Sequence, residues 1–364
     1  MSEASCEVPE PLSQKYSVPR RNAHPVLVAR HRSMDRQVFW NPRRNARPQT
    51  FDSASEAASA DPTAGRGCDF CDPLRFTAAD AWGRVENEHA LTASNLFKIT
   101  SSHGVIILRS HDPYDWNLAQ LRGMIRAAGE WFVNEHGARP EAPECGALIW
   151  NSLQRAGASQ YHPHLQAMLT PHGMPEQVRA WRGESEYHRR MRDGGRGMWE
   201  AEARAHDGAG LLHGVTDGED AAWVYPSMCP LKDMEVVVLG ESLCSPAFTL
   251  ALYSALRTLI DDLGLKTWNM GILNLEITKE RTNVLDTRPP PLSTDPTLWR
   301  PVWARIVSRG KPTTQSSDFG GLEVMLDAST GHTDPYFLSD ALARRLRECA
   351  DAAGGGYSKG WQRP

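Results

Sequence analysis

The sequence predicts an α+β protein made of two similar halves, on three observations. From Val85 to Leu169 the chain alternates strand-like runs with one strong helix. From Ala221 to Val307 a strand–strand–helix–strand series repeats that order of elements, with little residue identity between the two. The length, 364 residues at 40% hydrophobic content, suffices to bury one large core or two fused modules.

In chain order, residues 1–23 are rich in Pro, Arg and Ser and read as a loosely docked arm. Residues 51–67 (Ser, Ala, Asp, Gly) read as a loop. Gly104 to Leu108 is an apolar run expected to be a buried strand. Trp116 to about Glu135 is a helix, because Leu118, Leu121, Ile125, Ala128 and Phe132 recur at helical spacing and form a core-facing stripe. Ala147 to Trp150 and the run ending at Leu169 are strands. Glu176 to His206 is dense in Arg and Glu and predicts one or two exposed helices with a solvated face. The second series comprises strands at Ala221–Tyr225 and Met234–Leu239, a helix at Ser245–Leu263, and strands at Thr267–Leu275 and Val302–Val307. The proline-dense stretch 288–301 is a connecting loop. The halves are assigned to residues 24–175 and 176–352, and residues 353–364 to a flexible tail.

Composition excludes several classes. A net charge of −4 gives no global reason to bind nucleic acid or an anionic membrane. No apolar run approaches the ~18 residues of a membrane span, and residues 1–20 lack the apolar core of a signal peptide. Seven cysteines, an odd number spread along the chain, do not make a disulfide framework, so a reducing, cytoplasmic location is expected.

The most informative stretch is His162-Pro163-His164-Leu165-Gln166. In an extended segment, side chains at i, i+2 and i+4 share a face, so His162, His164 and Gln166 are expected to line up toward one site. A neutral imidazole is a competent nucleophile near pH 7. Upstream, Cys68-Asp69-Phe70-Cys71 is a Cys-x-x-Cys knuckle framed by Gly65, Gly67 and Pro73. Two thiolates at this spacing can grip a tetrahedral zinc ion, with His111 and His162 as candidates for the remaining ligands. A redox role needs the pair to open a helix after a strand, which Asp72-Pro73-Leu74-Arg75 matches poorly. A third feature is Asn41-Pro42-Arg43-Arg44-Asn45-Ala46-Arg47-Pro48, whose guanidinium groups suit phosphate oxygens.

Together these residues resemble the galactose-1-phosphate uridylyltransferase family, the transferase branch of the histidine-triad superfamily. The arginine run is similar to the family's Ser-Pro-His-Arg-Ala-Lys-Arg-Pro run, matching Arg44 and Arg47. Cys68 and Cys71 resemble its zinc cysteines, and Arg109-Ser110-His111-Asp112-Pro113 sits where it places a third ligand. Asn151 and the stretch Gly157 to Gln166, including Ser159, match its Asn…Gly-x-Ser-x-x-His-Pro-His-x-Gln pattern. Asn87 resembles a uridine-contacting asparagine. Glu323, in Gly320-Gly321-Leu322-Glu323, resembles a sugar-contacting glutamate, with Leu322 in place of an aromatic residue. The match is dense from about residue 40 to about 170 and thin beyond. Many family members carry histidines for a second metal site in the second half. Here Leu273 stands where one would fall and Pro301 to Arg305 contains none, which argues against that site.

The resemblance implies an HIT-like fold of two fused histidine-triad-like halves, each with an antiparallel sheet and packed helices, and a homodimer. It implies that His164 attacks the α-phosphorus of a nucleotide sugar and releases sugar 1-phosphate, after which a second phosphate attacks the nucleotidyl-His164. The nucleophile needs its other ring nitrogen held by an acceptor, for which a backbone carbonyl near His162 is expected. Gln166 cannot act as general acid or base near neutral pH, but with Ser159 it can hold oxygens as charge redistributes. Arg44 and Arg47 would offset phosphate charge. Zinc (Zn2+) held by Cys68, Cys71, His111 and His162 would have a closed, structural shell. The expected activity is UDP-glucose:hexose-1-phosphate (galactose-1-phosphate) uridylyltransferase. The partners are a nucleotide sugar and a sugar 1-phosphate, with no nucleic acid and no membrane. An ADP- or GDP-sugar phosphorylase using inorganic phosphate shares the motif. An inactive zinc-stabilised nucleotide- or RNA-binding module is the alternative of another class. Retention of His164, Gln166 and the arginine pair argues against it.

Overall fold

A ten-stranded antiparallel sheet runs through the computed structural model and joins the two halves. The structure describes residues 2–31, 36–41, 66–138, 145–190, 197–277, 284–285, 299–312 and 317–361. The chain opens with β1 (Ser2–Glu7), α1 (Glu10–Tyr16), β2 (Arg21–His31) and β3 (Arg36–Trp40), whose strands form a separate three-stranded sheet. A short helix, α2 (Pro73–Phe76), follows the cysteine knuckle. The first half of the large sheet contains β4 (Ala90–Ser94), β5 (Ser102–Leu108), β6 (Cys145–Asn151) and β7 (His164–Thr170), with α3 (Leu118–Gly137) between β5 and β6. Next come α4 (Pro175–Arg190), α5 (Met198–Gly208) and β8 (His213–Asp217). The second half contains β9 (Asp220–Pro226), β10 (Val236–Gly240), α6 (Pro246–Arg257), β11 (Trp268–Glu276) and β12 (Val302–Ser308). The chain ends with α7 (Gly321–Leu326), α8 (Pro335–Ala353) and β13 (Gly356–Lys359).

The order across the sheet is β13-β8-β9-β10-β12-β11-β6-β7-β5-β4. Read outward from its centre, β6-β7-β5-β4 and β11-β12-β10-β9 have the same connectivity. The repeat expected from the sequence is therefore a repeat in topology as well as element order. The seam is the antiparallel pairing of β6 with β11, where Trp150 and Trp268 meet with ring centroids 5.0 Å apart.

The two long helices form for local reasons. Asn117 and Gln120 make a reciprocal capping box at the start of α3, and Leu121, Met124, Ile125, Ala128 and Phe132 form its buried stripe. Ser245 caps α6 by accepting from the Phe248 N–H, with Pro246 in the first turn. Both helices pack in one core cluster with β5, β7, β10 and β12. All residues of β5, β7 and β10 are buried, so both faces of these strands are covered.

Three expectations change. Residues 2–20 are docked, not loose: Glu7 pairs with Ala79, and Cys6, Val8 and Leu12 pack on Ala78. The tail is not free, since β13 pairs with β8 and Trp361 stacks on Trp223 at 4.7 Å. The helices at 175–208 are only partly solvated. Trp199 and Ala203 join an apolar cluster with Trp223 and Trp303, and His206 packs its ring on Tyr225 at 4.0 Å. Among the described residues no helix is long and apolar enough to cross a membrane.

Candidate active site and metal centre

Strand β7 sets the site. Its Leu165, Ala167 and Leu169 point into the helix-covered core, which leaves His164 and Gln166 on the opposite face. The register with β5 pairs Ile107 with His164 and Val105 with Gln166. Val105 and Ile107 cluster with Ala93 and Phe70 on that same face. The strand begins at His164, so His162 lies just before it and does not share the line with the other two. His162 serves a different group of residues.

That group is the cluster of Cys68, Cys71, His111 and His162, whose ligand atoms all lie within 4.8 Å of one another. His162 Nδ1 is 3.6 Å from each sulfur, His111 Nδ1 is 3.3 Å from Cys71 Sγ, and the two Nδ1 atoms are 3.2 Å apart. A tetrahedral ion with arms of ~2.0–2.3 Å has ligand–ligand edges of about 3.3–3.7 Å, so these donors fit a metal ion. Their chemistry also fits. Burial pushes His162 down to about 4, so its imidazole stays neutral and keeps a lone pair for a cation. Its Nε2 lies 2.5 Å from the Leu108 carbonyl oxygen, so Nε2–H donates there and Nδ1 is the nitrogen that faces the sulfurs. Burial, with the Cys71 thiol beside it, pushes Cys68 up to about 12. A bound cation reverses that penalty by stabilising the thiolate.

His164 is held in the same manner by the adjacent backbone. Its Nδ1 lies 2.8 Å from the carbonyl oxygen of His162 and donates to it, which places the ring's lone pair on Nε2. Phe70, from inside the knuckle, meets the His164 ring edge-on at 5.2 Å and the His162 ring at 5.9 Å. The metal cluster and the candidate nucleophile are thus tied by one peptide carbonyl and one aromatic ring. His164, Gln166 and Ser159 line a common cavity, whose other walls include Phe97, Val105 and Asn95. Ser159 comes from the loop between β6 and β7, where Gly157 takes a left-handed φ of 88° in the turn after Gln154–Ala156.

The remaining expected residues fall differently. Asn151 ends β6, one step beyond the Trp150–Leu165 pair, which sets it opposite His164. Its side-chain oxygen accepts from Asn269 Nδ2 at 2.7 Å, and the same Nδ2 donates to the Ala156 carbonyl in the Ser159 loop. Arg44 and Arg47 lie outside the described residues. Asn41, at the head of their run, is buried and donates to the Lys98 carbonyl at 2.7 Å. Asn87 does not line the cavity. Its amide bonds the Gly123 carbonyl and the N–H groups of His89 and Ala90, which makes it a turn former. Glu323 is also elsewhere: it accepts from the Gly320 N–H at the start of α7 and lines a separate cleft with Glu176 and Arg305. Leu273, where a second-site histidine would fall, faces Trp303 across β11 and β12. Sequence reasoning missed Phe70, Asn95, Gln160 and the α1 residues Leu12 and Tyr16, all of which line the cavity. The Ser94-Asn95-Leu96-Phe97 run closing β4 was a usable signal for Asn95.

No family model matches this sequence, and no curated protein matches it. Solved structures do match in fold. A uridylyltransferase superimposes with a TM-score of 0.53 at 15% identity, covering 72% of this chain and 87% of that one. A uridylyltransferase mutant gives a TM-score of 0.55 at 15% identity over 80% and 96%. An ADP-glucose phosphorylase from Arabidopsis thaliana, with ADP-glucose bound, gives 0.53 at 15% identity over 88% and 98%. This chain therefore shares the α+β fold of these uridylyltransferase and ADP-glucose phosphorylase structures.

Proposed function

We propose that this protein is a nucleotidyltransferase acting on a nucleotide sugar through a nucleotidyl-His164 intermediate. The observation that carries the reading is the His164 Nδ1 contact with the His162 carbonyl, because it presents the Nε2 lone pair beside Gln166 and Ser159 in one cavity. Attack by Nε2 on the α-phosphorus forms the N–P bond and expels sugar 1-phosphate; attack by an acceptor phosphate then breaks that bond and restores the imidazole. A phosphate leaves as an anion, so glutamine at position 166 costs the reaction no proton donor. Gln166 and Ser159 hold the α-phosphate oxygens, Asn151 steadies the Ser159 loop, and Arg44 and Arg47 offset charge. Cys68, Cys71, His111 and His162 hold zinc, which fixes the backbone that aims His164.

The reaction we favour is UDP-glucose:hexose-1-phosphate uridylyl transfer, carried out by a cytoplasmic homodimer. Val324, Met325 and Leu326 of α7 are exposed apolar residues suited to burial against a second copy. The ADP-sugar phosphorylase reading keeps a place because the phosphorylase from Arabidopsis thaliana shares the fold over 88% of this chain. One experiment separates the two: load the enzyme from radiolabelled UDP- or ADP-glucose, remove free nucleotide, then add hexose 1-phosphates and inorganic phosphate separately. Discharge by hexose 1-phosphate supports the transferase, and discharge by inorganic phosphate alone rejects it. Failure of every nucleotide sugar to load His164 rejects both.

A further inference from the structure

The N-terminal helix is built into the wall of the His164 cavity. Leu12 and Tyr16, four residues apart on α1, line it opposite residues of the first half. Leu12 is 2% exposed, so the helix is seated and not merely adjacent. A latch holds it: Lys15 Nζ lies 2.5 Å from Asp69 Oδ1, and the Tyr16 hydroxyl donates to Asp69 Oδ2 at 2.6 Å. Asp69 stands between the two knuckle cysteines, next to Phe70, whose ring touches His164. One four-residue turn therefore fixes two metal-cluster sulfurs, the aromatic neighbour of His164 and the position of α1.

With α1 in place the cavity encloses about 90 Å³. Sites that engulf a whole drug-sized ligand run to roughly 300–1,000 Å³. The space suits a single ring, with the rest of a ligand extending past His164 toward solvent. Phe70, Phe97 and Val105 offer it apolar surfaces, and Leu12 and Tyr16 close the remaining side.

We propose that α1 is a specificity element: Leu12 and Tyr16 form the wall against which the nucleobase packs, and by limiting the slot they select a pyrimidine over a purine. This inference rests on the nucleotidyl-transfer reading of the site. Neither residue is placed at the reacting atoms, so the effect belongs to binding and not to the chemical step.

The test is equilibrium binding of UDP and of ADP to the full chain, by calorimetry, for the unaltered protein and four variants. Leu12→Ala and Tyr16→Ala should each weaken UDP by about tenfold and narrow the UDP-to-ADP preference, the scale on which an apolar wall discriminates. Glu10→Gln and Gln14→Ala, at exposed positions of the same helix that do not line the cavity, should leave both affinities within about twofold. Where an alanine variant fails to fold, Leu12→Phe takes its place, narrowing the slot and weakening UDP by about tenfold at an unchanged melting temperature. Folded Leu12→Ala and Tyr16→Ala variants with an unchanged UDP-to-ADP ratio overturn the proposal, as does a Leu12→Phe variant with unchanged UDP affinity or an unaltered protein that prefers ADP. An unaltered protein that binds neither nucleotide overturns the reading of the site, and this proposal with it.

Discussion

The imidazole of His164 donates from Nδ1 to the main-chain carbonyl of His162, 2.8 Å away, while the imidazole of His162 donates from Nε2 to the carbonyl of Leu108. Two histidines two residues apart are thereby set in opposite tautomers by two carbonyls. One presents Nδ1 to a pair of sulfurs, and the other presents Nε2 to a cavity. With this division of labour, a His-Pro-His stretch would serve the proposed metal centre and the proposed nucleophile together.

The nucleophile is the first thing to test. His164→Ala should abolish exchange of labelled sugar 1-phosphate into nucleotide sugar, a reaction the unaltered enzyme should run without a second acceptor. Nucleotide affinity should change little, because the lost ring faces a cavity and is not a core side chain. Exchange that strictly required both substrates together would replace the two-step mechanism with direct transfer.

Gln166→Ala should slow turnover by the equivalent of roughly 2–4 kcal/mol if the amide acts as a preorganised donor to the phosphate. The loss should fall on kcat and leave KM close to that of the unaltered enzyme. A variant with normal kcat would reduce Gln166 to a polar strand residue.

Elemental analysis should find about one zinc ion per chain. Replacing Cys68 and Cys71 with serine should remove the metal and lower the melting temperature, because the cluster fastens the knuckle to Leu108 and to β7. A metal-free preparation that melts at the same temperature as the loaded protein would falsify a stabilising role.

His213 gives the fold a pH dependence away from the site. Burial, aided by the nearby Lys359 and Arg347 charges, pushes it down to about 4, and it bonds Tyr357 and Ser339 as a neutral ring. Its folded value lies below the unfolded one, so between those two values the unfolded chain binds the extra proton. Stability is then lost as pH falls from about 6.5 toward 4, by about 2 kcal/mol at pH 5 relative to pH 7.5. Urea unfolding at both pH values should show this contribution as the amount by which His213→Gln reduces the pH dependence of the unaltered protein.

Gly104 of β5 lies so close to Trp131 that an added Cβ would sit 2.6 Å from the indole nitrogen. Trp131 is fully buried and donates to Asp80, so it has no room to yield. Gly104→Ala should cost about 1–3 kcal/mol, read as a lower urea midpoint at an unchanged slope.

Much of this was legible in the sequence because it is local. The Cys-x-x-Cys spacing, the alternation of His164 and Gln166 and the stripe of α3 each reveal themselves within a short window, whereas His162 falls outside the strand. His111 could be paired with distant cysteines because it follows the apolar run of β5, whose place in a sheet is constrained. What escaped depends on non-local fit. Nothing within residues 1–23 shows that Leu12 will meet Ala78, or that Lys15 and Tyr16 will converge on Asp69. Choosing between Asn87 and Asn95 likewise needed the structure. Both sit at the margins of β4 and both accept from a nearby backbone N–H, but of the two only Asn95 also lines the cavity.

The pairing of β6 with β11 has a consequence for any attempt to divide the chain. Cut between the halves, each fragment would carry a bare strand of seven or nine residues whose apolar positions are buried in the intact sheet. Such unpaired edges template aggregation, and neither strand carries the lysines or prolines that blunt natural ones. The halves should therefore be insoluble when expressed alone and soluble when co-expressed, each acting as the other's chaperone at the seam.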